Sequence, residues 1–323
     1  MDIRQLRYFL AVIDQRSFTR AAEQLDISQP SLSRAIAGFE RELGVTLFHR
    51  VQRTVVPTPA GSQLAVPARR VIRGLDSARS SIDALKGLGS GRLEITTMAS
   101  PGVEPLTTLL RLFTARYPDV EVALGSAVVP EDVLQAVHIG AGEVGLLGAS
   151  SQLTAADLVT IPVEQQGLVL VTAVVGDLAG RDSITAQDLA GRRLITAQRG
   201  SLIHRFITDV QSSGVSISVP VDVQHRRSTI LPIVLSGVAD AVLPTGWAGL
   251  ARSAGADVIP IAPTSQLHVA LVHRQEPLTP AAAAFVSTVR AYIEHTALII
   301  TDDPNQPLAS SATSPPSAMS EHE

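Results

Sequence analysis

The chain has no cysteine in its 323 residues, one tryptophan, three tyrosines and three methionines. Without cysteine there is no disulfide, thiolate metal site, iron–sulfur cluster or cysteine nucleophile, and an oxidant cannot be sensed through a thiol. Charged residues are 17% and aromatics 3%, yet 45% of the residues are hydrophobic, enough for real cores and too many for a wholly disordered chain. No run of about 18 apolar residues exists. Asp2, Arg4 and Arg7 interrupt the N-terminus, so no signal-peptide core forms there. The expectation is a soluble, cytoplasmic protein with no membrane partner. The eight histidines never pair at three- or four-residue spacing, and no metal or cofactor is expected.

Nucleotide and hydrolase signatures are missing too. There is no G-x-x-x-x-G-K-[ST] and no H-E-x-x-H. Gly140-x-Gly142-x-x-Gly145 spells a dinucleotide fingerprint, but that motif needs a strand before it and a helix after it. Here a helical pattern (Val133–Ile139) precedes and a strand-like run follows, the reverse order.

The formal net charge is −4, which taken whole argues against nucleic acid. It is unevenly spread. Residues 1–90 hold thirteen basic and eight acidic side chains, a surplus of five positive charges, and the remainder holds thirteen basic and twenty-two acidic, a surplus of nine negative. A basic head on an acidic body is expected when one module meets a polyanion and the other does not.

In the head, Ile3, Leu6, Phe9, Leu10 and Ile13 recur at helical steps. Ser17 suits the N-cap of a short second helix with Ala21, Ala22 and Leu25. Ser28 suits the N-cap of a third, with Pro30 in its first turn and Gly44 at its end. Val45–Phe48 and Thr54–Val56 can pair as a hairpin around His49–Arg53. Three helices with a tight turn at Asp26-Ile27-Ser28 have helix-turn-helix order. The third helix shows Ser28, Gln29, Ser31, Ser33 and Arg34 near its N-terminal end. Arginine can bond guanine in two-pronged fashion, glutamine can do so with adenine, and serine suits phosphate or base. His49, Arg50 and Arg53 form a basic wing.

Residues 58–86 read as one helix, about 40 Å long, capped by Thr58 and kinked at Pro67. Leu64, Val71, Leu75, Ala78, Ile82 and Leu85 make a heptad stripe suited to packing on a second copy, although a helix lying on its own domain's core shows the same stripe. Gly87–Gly91 is a linker. From 92 to 300 strands and helices alternate, which predicts parallel sheets covered on both faces, and the length suits two lobes. Residues 301–323 lack periodicity and read as a disordered tail.

The runs Ser17–Leu25, Ile27–Ser33, Glu40–Arg50 and Thr58–Gly61 resemble those of LysR-type transcriptional regulators. The resemblance implies an α/β chain with a winged helix-turn-helix domain at 1–58, a dimerising linker helix at 59–88, and a two-lobed effector domain like a periplasmic binding protein at 92–300. The first lobe is placed at about 92–161 and 267–300 and the second at 162–266. It implies a homotetramer built from dimers, an effector bound between the lobes, and DNA contacts on Gln29, Pro30, Ser33, Arg34, Arg50 and Arg53. Two-fold heads predict an interrupted inverted repeat in double-stranded DNA, and RNA polymerase is a further candidate partner. Carried over to the cleft are Ser100, Ser126, Ala127, Val128, Ser201 and Leu202, with Thr245 closing a wall. For Ser100 and Ser201 helix capping is an equal reading. Helix ends at both walls suit an anionic effector. The chain departs from the family pattern at Gly145, where an acidic residue is usual, and at Asp240, where glycine is common. A solute-binding receptor and a two-lobed transferase or lyase are the competing functions. The basic head speaks against the first, and the lack of a catalytic constellation against the second.

Overall fold

A computed structural model describes residues 1–51, 54–85, 91–174, 176–224, 227–275 and 277–302. Three helices open the chain: α1 (Ile3–Gln15), α2 (Phe18–Gln24) and α3 (Gln29–Leu43). Their ends are set by the residues that sequence reading chose. Ser17 and Ser28 accept hydrogen bonds from the N–H groups of Arg20 and Ser31, and Gly44 closes α3 in the left-handed region at φ 69°. Asp26 takes the tight turn at φ 53°, a conformation that aspartate tolerates better than most residues.

The wing is a hairpin of β1 (Phe48–Val51) and β2 (Thr54–Pro57), so its first strand starts three residues later than Val45. The cause is Glu40 near the end of α3. Its Oε1 accepts from the N–H of Leu47 at 2.7 Å and of Phe48 at 3.2 Å, which ties the approach to the helix instead of the hairpin. Phe48 then packs on Phe9 and Phe18, with ring centroids 5.5 and 5.9 Å apart, and Phe9 meets Phe39 at 6.3 Å. Four of the chain's seven phenylalanines thus bind wing and helices into one small core.

Helix α4 (Pro59–Leu85) continues through Pro67. Thr58 Oγ1 accepts from Gly61 N–H at 3.0 Å and donates to the Thr46 carbonyl at 2.8 Å, fastening the helix start to the wing. Ala68 is buried in the head's core and Leu64 packs against it. The first part of the heptad stripe therefore seats α4 on its own domain. Val71 and Ala78 are exposed and Leu75 is half-buried, while the side chains of Ile82 and Leu85 lie outside the described residues.

Two five-stranded sheets follow. The first holds β3 (Gly91–Met98), β4 (Val120–Ala127), β5 (Val144–Ala149), β6 (Leu158–Gln166) and, from much later in the chain, β12 (Leu267–Arg274). The second holds β7 (Leu168–Thr172), β8 (Arg193–Ala197), β9 (Ser218–Val223), β10 (Asp240–Pro244) and β11 (Asp257–Ile261). The orders are β4-β3-β5-β12-β6 and β9-β8-β10-β7-β11, the same sequence of roles in each lobe.

Neither sheet is parallel throughout, as the alternation suggested. In each lobe three strands run parallel, and the two at one side are antiparallel to their neighbours. The reason is connectivity. Each lobe includes a strand that arrives directly from the other lobe, with no crossover helix to reverse it. The first crossover falls at Gly167, not near 161, because β6 stays paired with β12 up to Gln166 opposite Leu267.

Helices α5 (Ala99–Val103), α6 (Leu106–Arg116), α7 (Pro130–Ile139) and α11 (Pro280–Asp302) cover the first sheet, and α8 (Leu202–Ser212), α9 (Ile230–Leu235) and α10 (Ala248–Ser253) belong to the second lobe. Phe113 of α6 meets Phe285 of α11 edge-on at 5.4 Å over Leu93 and Ile95, while Val133 and Val137 of α7 pack with Leu147 and Val272. Helix α11 includes residues 301 and 302, and the rest of the expected tail lies outside the described residues. Among the described residues no helix is long and apolar enough to cross a membrane, and no three histidine or acidic side chains group to hold a metal.

Candidate functional site

Two surfaces concentrate polar chemistry. The first is the N-terminal end of α3. Ser28, Pro30, Ser31 and Arg34 are exposed, and Gln29 and Ser33 are half-buried. Ser28 Oγ lies 2.8 Å from Ser31 Oγ, and Arg34 Nε donates to the Pro30 carbonyl at 3.4 Å, laying the guanidinium along the helix face. Small Ala21 and Ala22 are buried where α2 meets α3. Arg50 stands in β1 of the wing, its side chain outside the described residues, and Arg53 lies outside them altogether.

The second surface is a cleft of about 380 Å³ between the lobes. It brings together Ser100, Val128, Ser201 and Leu202. Ser201 caps α8, accepting from His204 N–H at 3.2 Å. Ser100 is not a cap: α5 starts from Met98, and Ser100 sits inside its first turn, 3% exposed, with its hydroxyl accepting from the indole N–H of Trp247 at 3.2 Å. That bond ties the first lobe to the second through the chain's single tryptophan. Ser126 and Ala127 remain within β4, outside the cleft lining, and Thr245 lies outside that lining as well. Thr245 instead opens the turn that delivers Trp247.

The walls differ in charge. The second lobe contributes Arg199, Arg205 and Arg227, and the first contributes Glu131 in the first turn of α7. Arg199 and Arg205 are exposed, whereas Arg227 is half-buried, and burial pushes its guanidinium below the usual arginine range.

The description "Bacterial regulatory helix-turn-helix protein, lysR family" matches residues 3–62, and "LysR substrate binding domain" matches residues 86–294. The chain belongs to the LysR family. This regulator therefore joins a DNA-binding helix-turn-helix to an effector-binding domain. It is 30% identical over 246 residues to the "Probable hydrogen peroxide-inducible genes activator" of Streptomyces viridosporus, covering 75% of this chain and 77% of that one. It is 28% identical over 282 residues to the transcriptional regulator IlvR of Caulobacter vibrioides, covering 87% and 94%. Among solved structures, full-length CbnR in complex with its target DNA shares the fold at a TM-score of 0.65 and 24% identity, over 90% of this chain and 100% of that one.

The structure also explains both departures of this LysR-family chain from the pattern. A Cβ on Gly145 would stand 2.6 Å from Val133 Cγ1 and 2.7 Å from Val272 Cγ2, so valines fill the room an acidic side chain needs. Asp240 accepts from Arg192 at 2.8 Å, a half-buried ion pair beside β8. Sequence reading missed Glu40, Trp247, Arg205 and Arg227. Glu40 could have been found from its place three residues before Leu43-Gly44. Trp247 and Arg227 carried no local signal, since Trp247 bonds Ser100 far away in sequence and Arg227 lines a cavity that only folding forms.

Proposed function

We propose that this regulator binds an interrupted inverted repeat in double-stranded DNA as a homodimer or homotetramer, and that a small anionic effector in the interlobe cleft shifts that binding. The observation that carries it is the joining in one chain of an exposed Ser28–Arg34 face to a cleft shared by two lobes. The recognition residues are Ser28, Gln29, Pro30, Ser31, Ser33 and Arg34 on α3, with Arg50 and Arg53 on the wing. Residues 1–58 read the DNA, 59–88 pair the protomers through the stripe beyond Leu64, from Val71 to Leu85, and 92–300 hold the effector. Ser100, Val128, Ser201 and Leu202 line the effector site, and Ser126, Ala127 and Thr245 back it. The excess of arginine over carboxylate in the lining supports an anion.

The effector acts as a population shift. Its preference for one lobe arrangement changes the spacing of paired heads, and so the DNA bend and the access of RNA polymerase. The protein works by binding and is not an enzyme. Sensing of peroxide through a thiol is ruled out by the want of any cysteine.

Footprinting of the DNA upstream of the chain's own reading frame, with and without a small-acid panel, tests the reading. Two protected half-sites with affinity falling steeply in salt are expected. Arg34→Ala should cost about 1–3 kcal/mol on the cognate site. Retention that ignores both salt and Arg34 would sink the proposal.

A further inference from the structure

Arg227 lies in a short 3-10 turn, Arg227–Thr229, that leads into α9, and it lines the cleft. Arg69, Arg92, Arg181 and Arg192 make ion pairs with described carboxylates, and Arg227 is in none of these pairs. Burial alone accounts for the lowering of its pKa. A guanidinium taken out of water without a counter-charge is unfavourable, and folded proteins normally pair such a group. Here the space beside it is the cleft. The only carboxylate among the described residues of the lining, Glu131, is exposed at the opposite wall, in the first turn of α7, where its charge already suits the helix end. Arg199 and Arg205 are exposed on Arg227's own wall, so solvent screens them and they add to the positive field without neutralising it.

We propose that Arg227 anchors the effector, and that the effector is a small oxyanion whose carboxylate or phosphoryl group lies on the guanidinium fork while an apolar body rests on Met98, Pro101, Leu153 and Leu267. This rests on the reading of the cleft as the effector site. A planar fork of donors matches such a group in two-pronged fashion, which a lysine ammonium does not. The cleft, at about 380 Å³, suits a compact molecule.

The test uses the full chain and four probes: cyclohexanecarboxylate, succinate, inorganic phosphate and the neutral cyclohexanecarboxamide. Calorimetry reads affinity, and Trp247 fluorescence reports from the cleft wall. At least one oxyanion should bind while the carboxamide does not. Arg227→Met should weaken that oxyanion about 100-fold, Arg227→Lys should fall between, and Arg199→Gln should stay within a few-fold of the parent. Ligand-free Arg227→Met should also melt higher than the parent, because a half-buried cation without a counter-charge has become an apolar side chain, and it should lose the oxyanion-induced rise in Tm. If Arg227→Met does not fold, the affinity of Arg227→Lys decides alone.

Binding unchanged by the substitutions, a carboxamide that binds as well as the acid, no oxyanion binding at all, or a lower Tm in Arg227→Met would each overturn the proposal. DNA retention separates the two readings. Arg227-dependent binding that leaves DNA retention unchanged keeps the anchor and ends the effector reading. Binding indifferent to Arg227 that still shifts DNA retention does the reverse.

Discussion

The two lobes share one strand order and differ where the shared plan meets chemistry. Strands β5 and β10 hold the same place in their sheets, each between two neighbours. In the first lobe that strand begins with Val144 and Gly145, buried under the valines of α7 and β12. In the second it begins with Asp240, paired with Arg192. The contrast extends to the cleft, where the first lobe presents Met98, Pro101, Leu153 and Leu267 with one exposed carboxylate and the second presents three arginines. A common backbone therefore leaves the polarity of each wall to a few side chains, and an asymmetric cleft can orient an asymmetric ligand, acid end toward the second lobe.

The sharpest way to break this contrast is to give the first lobe the charge that the second one carries. Gly145→Asp puts a carboxylate where three valine methyls already stand within 3 Å of the added Cβ. We expect a loss above about 4 kcal/mol, from overpacking and from forcing a carboxylate into a buried site together, seen in urea unfolding followed by circular dichroism. The mirror experiment, Asp240→Gly, should cost only about 1–2 kcal/mol, since the pair is partly solvated and some of its worth is screened. If Gly145→Asp is tolerated as well as Asp240→Gly, the two strands do not differ as described.

Next in size is the bond that joins the lobes. Trp247→Phe removes the indole N–H and leaves the buried Ser100 hydroxyl without its donor. A cost of about 2 kcal/mol is expected, part lost hydrogen bond and part lost volume. Thermal unfolding checks the stability. Equal stability of the variant would mean that the lobes are held by other contacts, such as the packing of the first lobe's Gln166 side chain against Gly246 of the second.

How much of this was legible from the sequence follows the range of the interactions. The head was readable almost to the residue because Ser17, Ser28 and Gly44 act on backbone within four positions of themselves. The wing's first strand was misplaced because its start depends on Glu40, seven residues back on a helix. In the body, the alternation of elements revealed two α/β lobes, but strand direction depends on where the chain crosses over, which periodicity does not record. The cleft was half legible. Ser100, Val128, Ser201 and Leu202 line the cleft, Ser100 from the first turn of α5 and Leu202 from the start of α8, while Arg227 and Trp247 matter only because folding brings residues more than a hundred positions apart into contact with one cavity or one hydroxyl.

The smallest effect separates the lobes by pH. Strand β6 carries Glu164, whose carboxyl accepts from Gln166 Nε2 at 2.6 Å and from the Tyr292 hydroxyl at 3.0 Å. Burial outweighs both bonds and raises its pKa above the usual glutamate range, with Glu104 adding a push in the same direction. The corresponding edge strand of the second lobe, β11, has Asp257 exposed at its start and no buried carboxyl. A raised folded-state pKa means that the native first lobe binds its proton more tightly than the unfolded chain does. Its contribution is therefore complete below the ordinary glutamate pKa and is lost as pH rises through the raised value. Glu164→Gln should flatten that fall while leaving the acid-side stability near the parent's, as the amide keeps the size of the side chain. Urea midpoints measured at intervals from pH 4 to pH 7 decide it. Parallel curves for parent and variant would place the carboxyl's charge in solvent and remove this difference between the lobes.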